Sequence, residues 1–237
     1  SQLRPISQNK KLNEEAISMY LDCTYVPSPF TIYKEVHKLS PGNNLEIDLV
    51  AQKYTIKEYW NLKEIRNSGL SYEEAKLQLH ELLKDAVKIR LQSDVPFGSF
   101  LSGGIDSALI SSIAAKVSDE PIKTFSIGFE DPKFDESKIA AQYAKIIGSV
   151  HTETICKTEH ILEMIPKLIT VYDEPFADSS ALPSLLLNKV TKQYVTMALS
   201  GDGGDESFLG YNHFDWVAKF KVLIKIPFWV RASVSKL

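Results

Sequence analysis

Two adjacent glycines flanked by serines form the first group of residues that could bind an anion. They lie in residues 101–107, which read Leu-Ser-Gly-Gly-Ile-Asp-Ser. The pattern places this segment after a predicted strand and at the start of a predicted helix. Gly103 and Gly104 let the backbone approach an anion closely, because they carry no Cβ. Ser102, Ser107 and the free N–H groups of the new helix would add donors, so the segment predicts a phosphate or pyrophosphate site.

An acid stands where better-known phosphate loops carry a lysine. The segment matches neither G-x-x-x-x-G-K-[ST] nor G-x-G-x-x-G, and it contains Asp106 instead. A carboxylate repels a nearby phosphate, whereas a Mg²⁺ ion between them binds both. The pattern therefore favours a magnesium-bound phosphate. The alternative is a plain turn in which Asp106 caps the helix.

A second glycine-rich segment carries a cluster of acids. Residues 198–206 read Ala-Leu-Ser-Gly-Asp-Gly-Gly-Asp-Glu, with three glycines and three acids in the last six positions. Crowded carboxylates are unfavourable unless water solvates them or a cation is shared between them. Either this is a solvated acidic turn, or Asp205 faces the same magnesium–pyrophosphate as Asp106.

The elements that must position these segments alternate between strand and helix from residue 95 onward. Strands are predicted at 97–101, 123–129, 149–155 and 194–199, and helices at 107–117, 136–147, about 159–173 and 183–193. This alternation predicts an α/β fold, a parallel twisted sheet with helices on both faces. Such sheets bind ligands at the carboxyl ends of their strands, where both segments fall. Upstream, we expect a helix at 13–21, short paired strands within 25–48, a linker at 61–70 and a capped helix from Ser71.

Composition narrows the function classes. The 237 residues include 27 Lys and Arg against 30 Asp and Glu, a formal net charge of -3, which argues against a strongly basic nucleic-acid binder. Cys23 and Cys156 are too few for a disulfide scaffold, so we expect reduced thiols and a cytoplasmic location. No apolar run approaches the roughly 20 residues that span a bilayer. The chain begins with Ser1 rather than Met, and we expect it to be part of a longer polypeptide.

The glycine-rich segments carry a family resemblance. Residues 102–107 resemble the loop of the N-type ATP pyrophosphatases of the PP-loop superfamily, which split ATP into AMP and pyrophosphate. Residues 200–206 with Gly210 and Tyr211 resemble the synthetase domain of the glutamine-dependent asparagine synthetases. Residues 95–98, 125–129, 134–137 and 173–178 fit the same domain in order, and 25–33 and 38–42 are similar to the end of that family's amidotransferase domain.

The resemblance implies a domain plan and a set of site residues. An adenine nucleotide alpha hydrolase-like domain would follow a small α+β remnant of an amidotransferase (class II) domain. Residues 1–60 would be that remnant, 61–70 a linker and 71–237 the N-terminal part of the synthetase domain. The adenosine of ATP would lie against Leu101, Ile127, Ser200 and Gly201. The triphosphate would lie on Ser102, Gly103, Gly104, Asp106 and Ser107. Asp106 and Asp205 would bind Mg²⁺, and the catalytic acids would be Asp106, Asp202 and Asp205.

The reaction that the resemblance implies is amide formation. A carboxylate, in the best-known members the aspartate side chain, would be adenylated with release of pyrophosphate, and ammonia from glutamine would attack it. The partners would be these small molecules, with no nucleic acid and no membrane, and the resemblance allows a homodimer.

The chain also departs from the family pattern. It lacks the N-terminal cysteine that makes ammonia from glutamine, and we assign no lysine to the late position that relatives use. Residues 178–183 lack the Arg that the best-known members carry for the amino-acid substrate. A lactam-forming enzyme, an enzyme that amidates another carboxylate such as a sugar acid or secondary metabolite, and an inactive nucleotide-binding fragment therefore stay open as alternatives.

Overall fold

The computed structural model describes residues 11–65 and 67–224. A short 3₁₀ turn occupies Leu62–Glu64. The helices and strands, in chain order, are α1 (Glu14–Cys23), β1 (Asn43–Asp48), β2 (Lys53–Glu58), α2 (Tyr72–Arg90), β3 (Phe97–Phe100), α3 (Ile105–Val117), β4 (Lys123–Phe129), α4 (Ser137–Ile147), β5 (Val150–Cys156), α5 (Thr158–Val171), α6 (Ala181–Thr191), β6 (Met197–Leu199), α7 (Gly204–Phe208) and α8 (Asn212–Ile224).

The described residues divide into two compact units. The first contains the described residues up to Glu81 together with Ile155–Val190. The second contains Leu82–Thr154 and the described residues from Thr191 onward. These units are defined by contacts between residues in the structure. The domain boundaries at residues 60 and 70 come from the predicted linker at 61–70 and the family resemblance, and they stay a prediction.

The first unit contains α1 and an antiparallel hairpin. α1 begins after Asn13, whose side-chain oxygen accepts the Ala16 N–H at 3.4 Å and so caps the helix. β1 and β2 pair along their whole length; β1 lies in the region where short strands were predicted, whereas its partner β2 lies beyond residue 48 and was not predicted. Residues 25–29 were expected to be extended too, but they form no strand. Their two prolines, Pro27 and Pro29, have no N–H to donate to a neighbouring strand.

The second unit is built on a four-stranded sheet in the order β5-β4-β3-β6. β3 pairs in parallel with both β4 and β6. α3 packs against β3, and α4 packs against β4. Two groups of buried apolar residues form the core, one containing Val87, Ile113, Ala114, Ile122 and Leu199, the other containing Leu101, Ala140 and Ala144. The parallel sheet with packed helices confirms the predicted α/β class.

A buried pair of serines fixes α3 on the sheet. The hydroxyl oxygens of Ser99 on β3 and Ser111 on α3 lie 2.8 Å apart, and both side chains are fully buried. The Ser99 hydroxyl also lies 3.4 Å from the carbonyl oxygen of Leu199 on β6. Buried hydroxyls are stable only when they are hydrogen-bonded, so this cluster restricts how α3 can lie on β3 and β6.

Several element boundaries differ from the prediction, and two of them belong to elements that border the glycine-rich segments. α3 begins at Ile105 rather than at residue 107, because Gly104 adopts the extended backbone of a helix N-cap. Asp106 and Ser107 consequently lie in the first helical turn. β6 begins at Met197 rather than at residue 194, because the N–H groups of Tyr194 and Val195 bond to the Thr191 carbonyl in the turn after α6.

Candidate functional site

The segment between β3 and α3 folds around two serine hydroxyls. The hydroxyl oxygens of Ser102 and Ser107 lie 2.8 Å apart. The Ser107 oxygen accepts the Ser102 N–H at 3.0 Å, and the Ser102 oxygen accepts the Gly104 N–H at 3.1 Å. These contacts fold the loop back over the first turn of α3. The hydroxyls of Ser102 and Ser107, which the sequence predicts as donors to an anion, therefore lie side by side.

The N-terminus of α3 opens directly from this loop. Its N-cap is Gly104, which makes no side-chain cap hydrogen bond to the first turn. Unpaired N–H groups at a helix start, together with the helix dipole, favour an anion there. The loop and the first turn thus bring hydroxyls, N–H groups and a helix start together, with Asp106 half-buried beside them, and the anion site itself stays a prediction.

The second glycine-rich segment connects β6 to α7. The Ser200 hydroxyl donates to the Asp202 carboxylate at 3.0 Å. Gly203 has a φ of +92°, a conformation that residues with a Cβ rarely adopt. The chain turns sharply at this point, and Asp205 follows in the first turn of α7.

The two loops meet at Asp106. A Cβ placed on Gly204 would lie 2.5 Å from Cγ of Asp106, and one on Gly201 would lie 2.6 Å from the backbone nitrogen of Ser107. β3 and β6 are neighbouring parallel strands, so the two loops leave the sheet at the same edge. The structure therefore brings the Asp106 carboxylate against Gly204, the residue next to Asp205. Asp202 is exposed on the same loop.

The residues selected for adenosine occupy two environments. Leu101 is 1% exposed and packs against Ala140 and Ala144 of α4, so its side chain belongs to the core. Its N–H donates to the Phe125 carbonyl at 2.8 Å, which ties the start of the loop to β4. Ile127 and Ser200 are half-buried, near the carboxyl ends of β4 and β6.

The structure adds one carboxylate that sequence reasoning missed. Glu136 precedes α4, and its Oε2 accepts the Gly103 N–H at 3.1 Å. In the sequence, residues 134–137 stand out only as a segment that fits the family resemblance. No spacing rule links residue 136 to residue 103, because the contact depends on how α4 packs beside the loop.

A second missed contact lies after α7. The Tyr211 hydroxyl donates to Oε1 of Glu206 at 2.8 Å. This hydrogen bond lowers the pKa of Glu206 and, with the nearby acids, raises the pKa of Tyr211. Glu206 is therefore held as a carboxylate and Tyr211 as a neutral phenol. The five-residue spacing between Glu206 in α7 and Tyr211 after it was visible in the sequence, but the direction of the side chains was not.

A histidine on β5 joins that strand to its neighbour β4. His151 on β5 lies 2.9 Å from the hydroxyl of Thr124 and 3.1 Å from that of Ser126, one contact for each ring nitrogen. Burial lowers the pKa of His151, and the Glu153 carboxylate opposes that shift. Both ring nitrogens are engaged with hydroxyls, which fits a structural role.

Two features are absent from residues 11–65 and 67–224. No group of three or more His, Cys, Asp or Glu side chains in these ranges could hold a metal ion. No helix in them is long and apolar enough to cross a membrane.

The first unit contains a cavity of about 540 Å³. Its walls come from residues 25–38 and 171–176, and the rings of Tyr172 and Phe176 stack there with centroids 5.3 Å apart. Glu174 accepts the Ile32 N–H at 3.1 Å and forms an ion pair with Lys38. No sequence pattern indicated this cavity, because its two walls are more than 130 residues apart in the chain.

Comparison with known proteins assigns a family. The model of the family described as "Asparagine synthase" matches residues 78–234. A putative asparagine synthetase [glutamine-hydrolyzing] 2 of Methanocaldococcus jannaschii is 38% identical over 99% of this chain and 45% of its own length. Asparagine synthetase [glutamine-hydrolyzing] 1 of Bacillus subtilis is 36% identical over 94% of this chain and 35% of its own length. The chain thus spans less than half the length of these relatives.

A solved structure is also similar at low identity. The glutamine-dependent NAD+ synthetase of Acinetobacter baumannii, in complex with ADP, is 20% identical, covers 70% of this chain and 31% of its own, and gives a TM-score of 0.43. The family assignment rests on the family model and on the sequence relatives, which cover the sheet and both glycine-rich loops. The chain belongs to the asparagine synthase family.

Proposed function

We propose that this chain is the nucleotide-binding part of an ATP-dependent amide-forming ligase of the asparagine synthase type. The observation that carries the proposal is the meeting of the two glycine-rich loops, which places the Asp106 carboxylate against Gly204, the residue that precedes Asp205 in the chain. A donor-lined loop for phosphates with two acids at its edge is the arrangement that magnesium pyrophosphate needs.

Magnesium fits the donor set of these loops. Mg²⁺ is bound through one or two carboxylates together with substrate phosphates and waters. Asp106 and Asp205 would supply the carboxylates. The ion would neutralise charge on the departing pyrophosphate when it is bound. Three protein ligands are not needed for such a site, so the absence of a larger cluster within the described residues agrees with it.

The chain's own residues would then position the reactants. Ser102, Ser107 and the loop N–H groups would hold the phosphates, and the first turn of α3 would add its dipole. The substrate carboxylate would attack the α-phosphorus, and pyrophosphate would leave toward Asp106 and Asp205. Ammonia would displace AMP from the resulting acyl-adenylate. Alignment and fixed charge account for this catalysis without a protein nucleophile.

The identities of the acceptor carboxylate and of the ammonia source are further proposals, which the site geometry does not carry. The names of the relatives, asparagine synthetase [glutamine-hydrolyzing], point to asparagine as the product and glutamine as the ammonia source. Aspartate is the acceptor that the family resemblance implies. Residues 178–183 carry no Arg, and in the structure Asp178 accepts hydrogen bonds from the N–H and hydroxyl of Ser180. This departure favours a test of other carboxylates, including one that closes into a lactam. The assignment of residues 1–60 to an amidotransferase domain, a cytoplasmic location and a homodimer stay predictions.

The test uses the full-length protein with Mg-ATP, ammonia and candidate carboxylates. We expect carboxylate-dependent release of AMP and pyrophosphate. ADP with phosphate would contradict the assignment of the loop, and no turnover with any carboxylate would favour an inactive nucleotide-binding module. Asparagine formed from aspartate would identify the acceptor.

Substitution of the two acids tests the site itself. Asp106→Asn and Asp205→Asn should each lower turnover at least about a hundredfold, because each removes a fixed charge that faces the leaving group. Asp119→Asn changes an exposed acid just beyond α3 and should leave turnover unchanged. Unchanged turnover in both site variants would contradict the magnesium assignment.

A further inference from the structure

An internal carboxylate occupies part of the anion site. The Gly103 N–H, at the centre of the loop between β3 and α3, donates to Oε2 of Glu136 at 3.1 Å. A Cβ on Gly103 would lie 3.0 Å from Cβ of Glu136 and 3.1 Å from Oε2, so the side chain packs directly on the glycine. A carboxylate oxygen offers this N–H the same chemistry as a phosphate oxygen.

Glu136 is free to make this contact because another acid caps its helix. Oδ1 of Asp135 accepts the N–H of Ser137 at 3.1 Å and the N–H of Phe129 at 3.3 Å. These bonds lower the pKa of Asp135 and satisfy the start of α4. Glu136 itself makes no cap hydrogen bond, and its carboxylate points to the loop instead.

The contact conflicts with a bound triphosphate. The other two loop N–H groups, those of Ser102 and Gly104, donate to neutral serine hydroxyls, which can turn toward a phosphate without adding charge. Glu136 instead places a negative charge on the N–H that a phosphate would use. Like charges at hydrogen-bond distance repel strongly, so the carboxylate and a phosphate oxygen exclude each other at Gly103.

We propose that Glu136 sets the affinity of this loop for ATP by competing with the triphosphate for the Gly103 N–H. The inference rests on the proposed function, since it assumes that the loop binds a nucleotide. Glu136 holds the loop in its folded form while the site is empty, and it leaves when Mg-ATP enters. It is therefore a residue that determines affinity, in addition to the groups that touch the nucleotide.

The experiment measures Mg-ATP and magnesium pyrophosphate binding to the full-length protein by calorimetry, without acceptor carboxylate. Glu136→Ala should bind both about fivefold more tightly than the wild type, because a typical hydrogen-bond preference leaves only roughly a fifth of the molecules with Gly103 free. Glu136→Gln keeps a weaker, neutral acceptor and should lie between the two. Glu130→Gln changes an exposed carboxylate on the same connection and should match the wild type.

The outcomes separate the inference from the proposed function. Wild-type binding with unchanged or weaker binding in both Glu136 variants would overturn the competition and leave the nucleotide site intact. No binding by the wild type would overturn both. If the variants do not fold, the wild type decides alone: the amide resonance of Gly103 and the carboxyl resonance of Glu136 must both shift when magnesium pyrophosphate is added, and a fixed Glu136 signal would contradict the inference.

Discussion

The two glycine-rich loops of the second unit and the cavity of the first unit are built in opposite ways. Each loop is a continuous stretch of sequence between one strand and one helix, and the hydrogen bonds between Ser102 and Ser107 close the first loop within five residues. The cavity walls come from residues 25–38 and 171–176, joined by the contacts of Glu174 with Ile32 and Lys38. A contiguous motif can be recognised from the sequence, whereas a wall assembled across the chain cannot.

The two regions should also respond to different kinds of substitution. In the loops, space is the limiting factor, since Gly201 and Gly204 lie against the backbone of α3 and the Asp106 carboxylate. In the first unit, charge is the limiting factor, because Lys38 and Glu174 are both partly buried and depend on each other. Steric variants should therefore damage the loops most, and charge variants should damage the first unit most.

The largest expected effect is that of a methyl group at Gly201. In Gly201→Ala the new Cβ would lie 2.6 Å from the Ser107 nitrogen and 2.8 Å from the Asp106 carbonyl carbon, so one of the two loops must move. We expect a loss of about 2 kcal/mol or more in the free energy of unfolding and roughly tenfold or more weaker Mg-ATP binding. Denaturant unfolding and calorimetry measure the two effects.

Gly104→Ala is the matched control at the same site. Its Cβ would meet only the Ser102 hydroxyl, at 3.2 Å, and its backbone is in an ordinary extended conformation. Its free energy of unfolding should stay close to the wild-type value. Equal stability losses in both variants would show that close contact between the loops is not what makes Gly201 necessary.

A smaller effect is expected from the ion pair of the first unit. Glu174→Gln removes the charge that faces Lys38 while keeping an acceptor for the Ile32 N–H. The side chains of Lys38 and Glu174 are 35% and 18% exposed, so the loss should be about 1–2 kcal/mol in the free energy of unfolding. The matched variant Glu46→Gln breaks the pair with Lys57 on the hairpin, whose side chains are 64% and 67% exposed.

For the hairpin pair we expect less than about 0.5 kcal/mol, because exposed ion pairs are screened by water and salt. Hydrogen exchange of residues 25–38 should rise in Glu174→Gln and stay unchanged in Glu46→Gln. Similar losses in the two variants would contradict the view that the contact between the cavity walls depends on a partly buried charge.

The same contrast explains what the sequence could predict. The strand at Lys123–Phe129 and the two glycine-rich loops were predicted closely, because periodicity and turn residues act over a few positions. The early start of α3 at Ile105 was missed, because a glycine N-cap gives no side-chain signal. Glu136 at Gly103 and Glu174 at Ile32 were missed because both contacts depend on packing between distant segments.

The smallest expected effect concerns the contact of His151 on β5 with the hydroxyls of Thr124 and Ser126 on β4. Unlike the contacts within the loops, it joins residues that are at least 25 positions apart in the chain. Burial lowers the pKa of His151 below its ordinary value of about 6.5. Between the unfolded pKa and this lower folded pKa, the unfolded chain binds more protons, so stability falls as the pH falls. His151→Gln removes this contribution while leaving a partner for one of the two hydroxyls. The loss of melting temperature between pH 7.5 and pH 5.5 should then be smaller than in the wild type by about 1–2 °C.

His80→Gln, at an exposed position on α2, is the control for the loss of one histidine. An unchanged slope in His151→Gln would show that the hydroxyl contacts stabilise the protonated ring as well as the neutral one, and that burial does not govern this position.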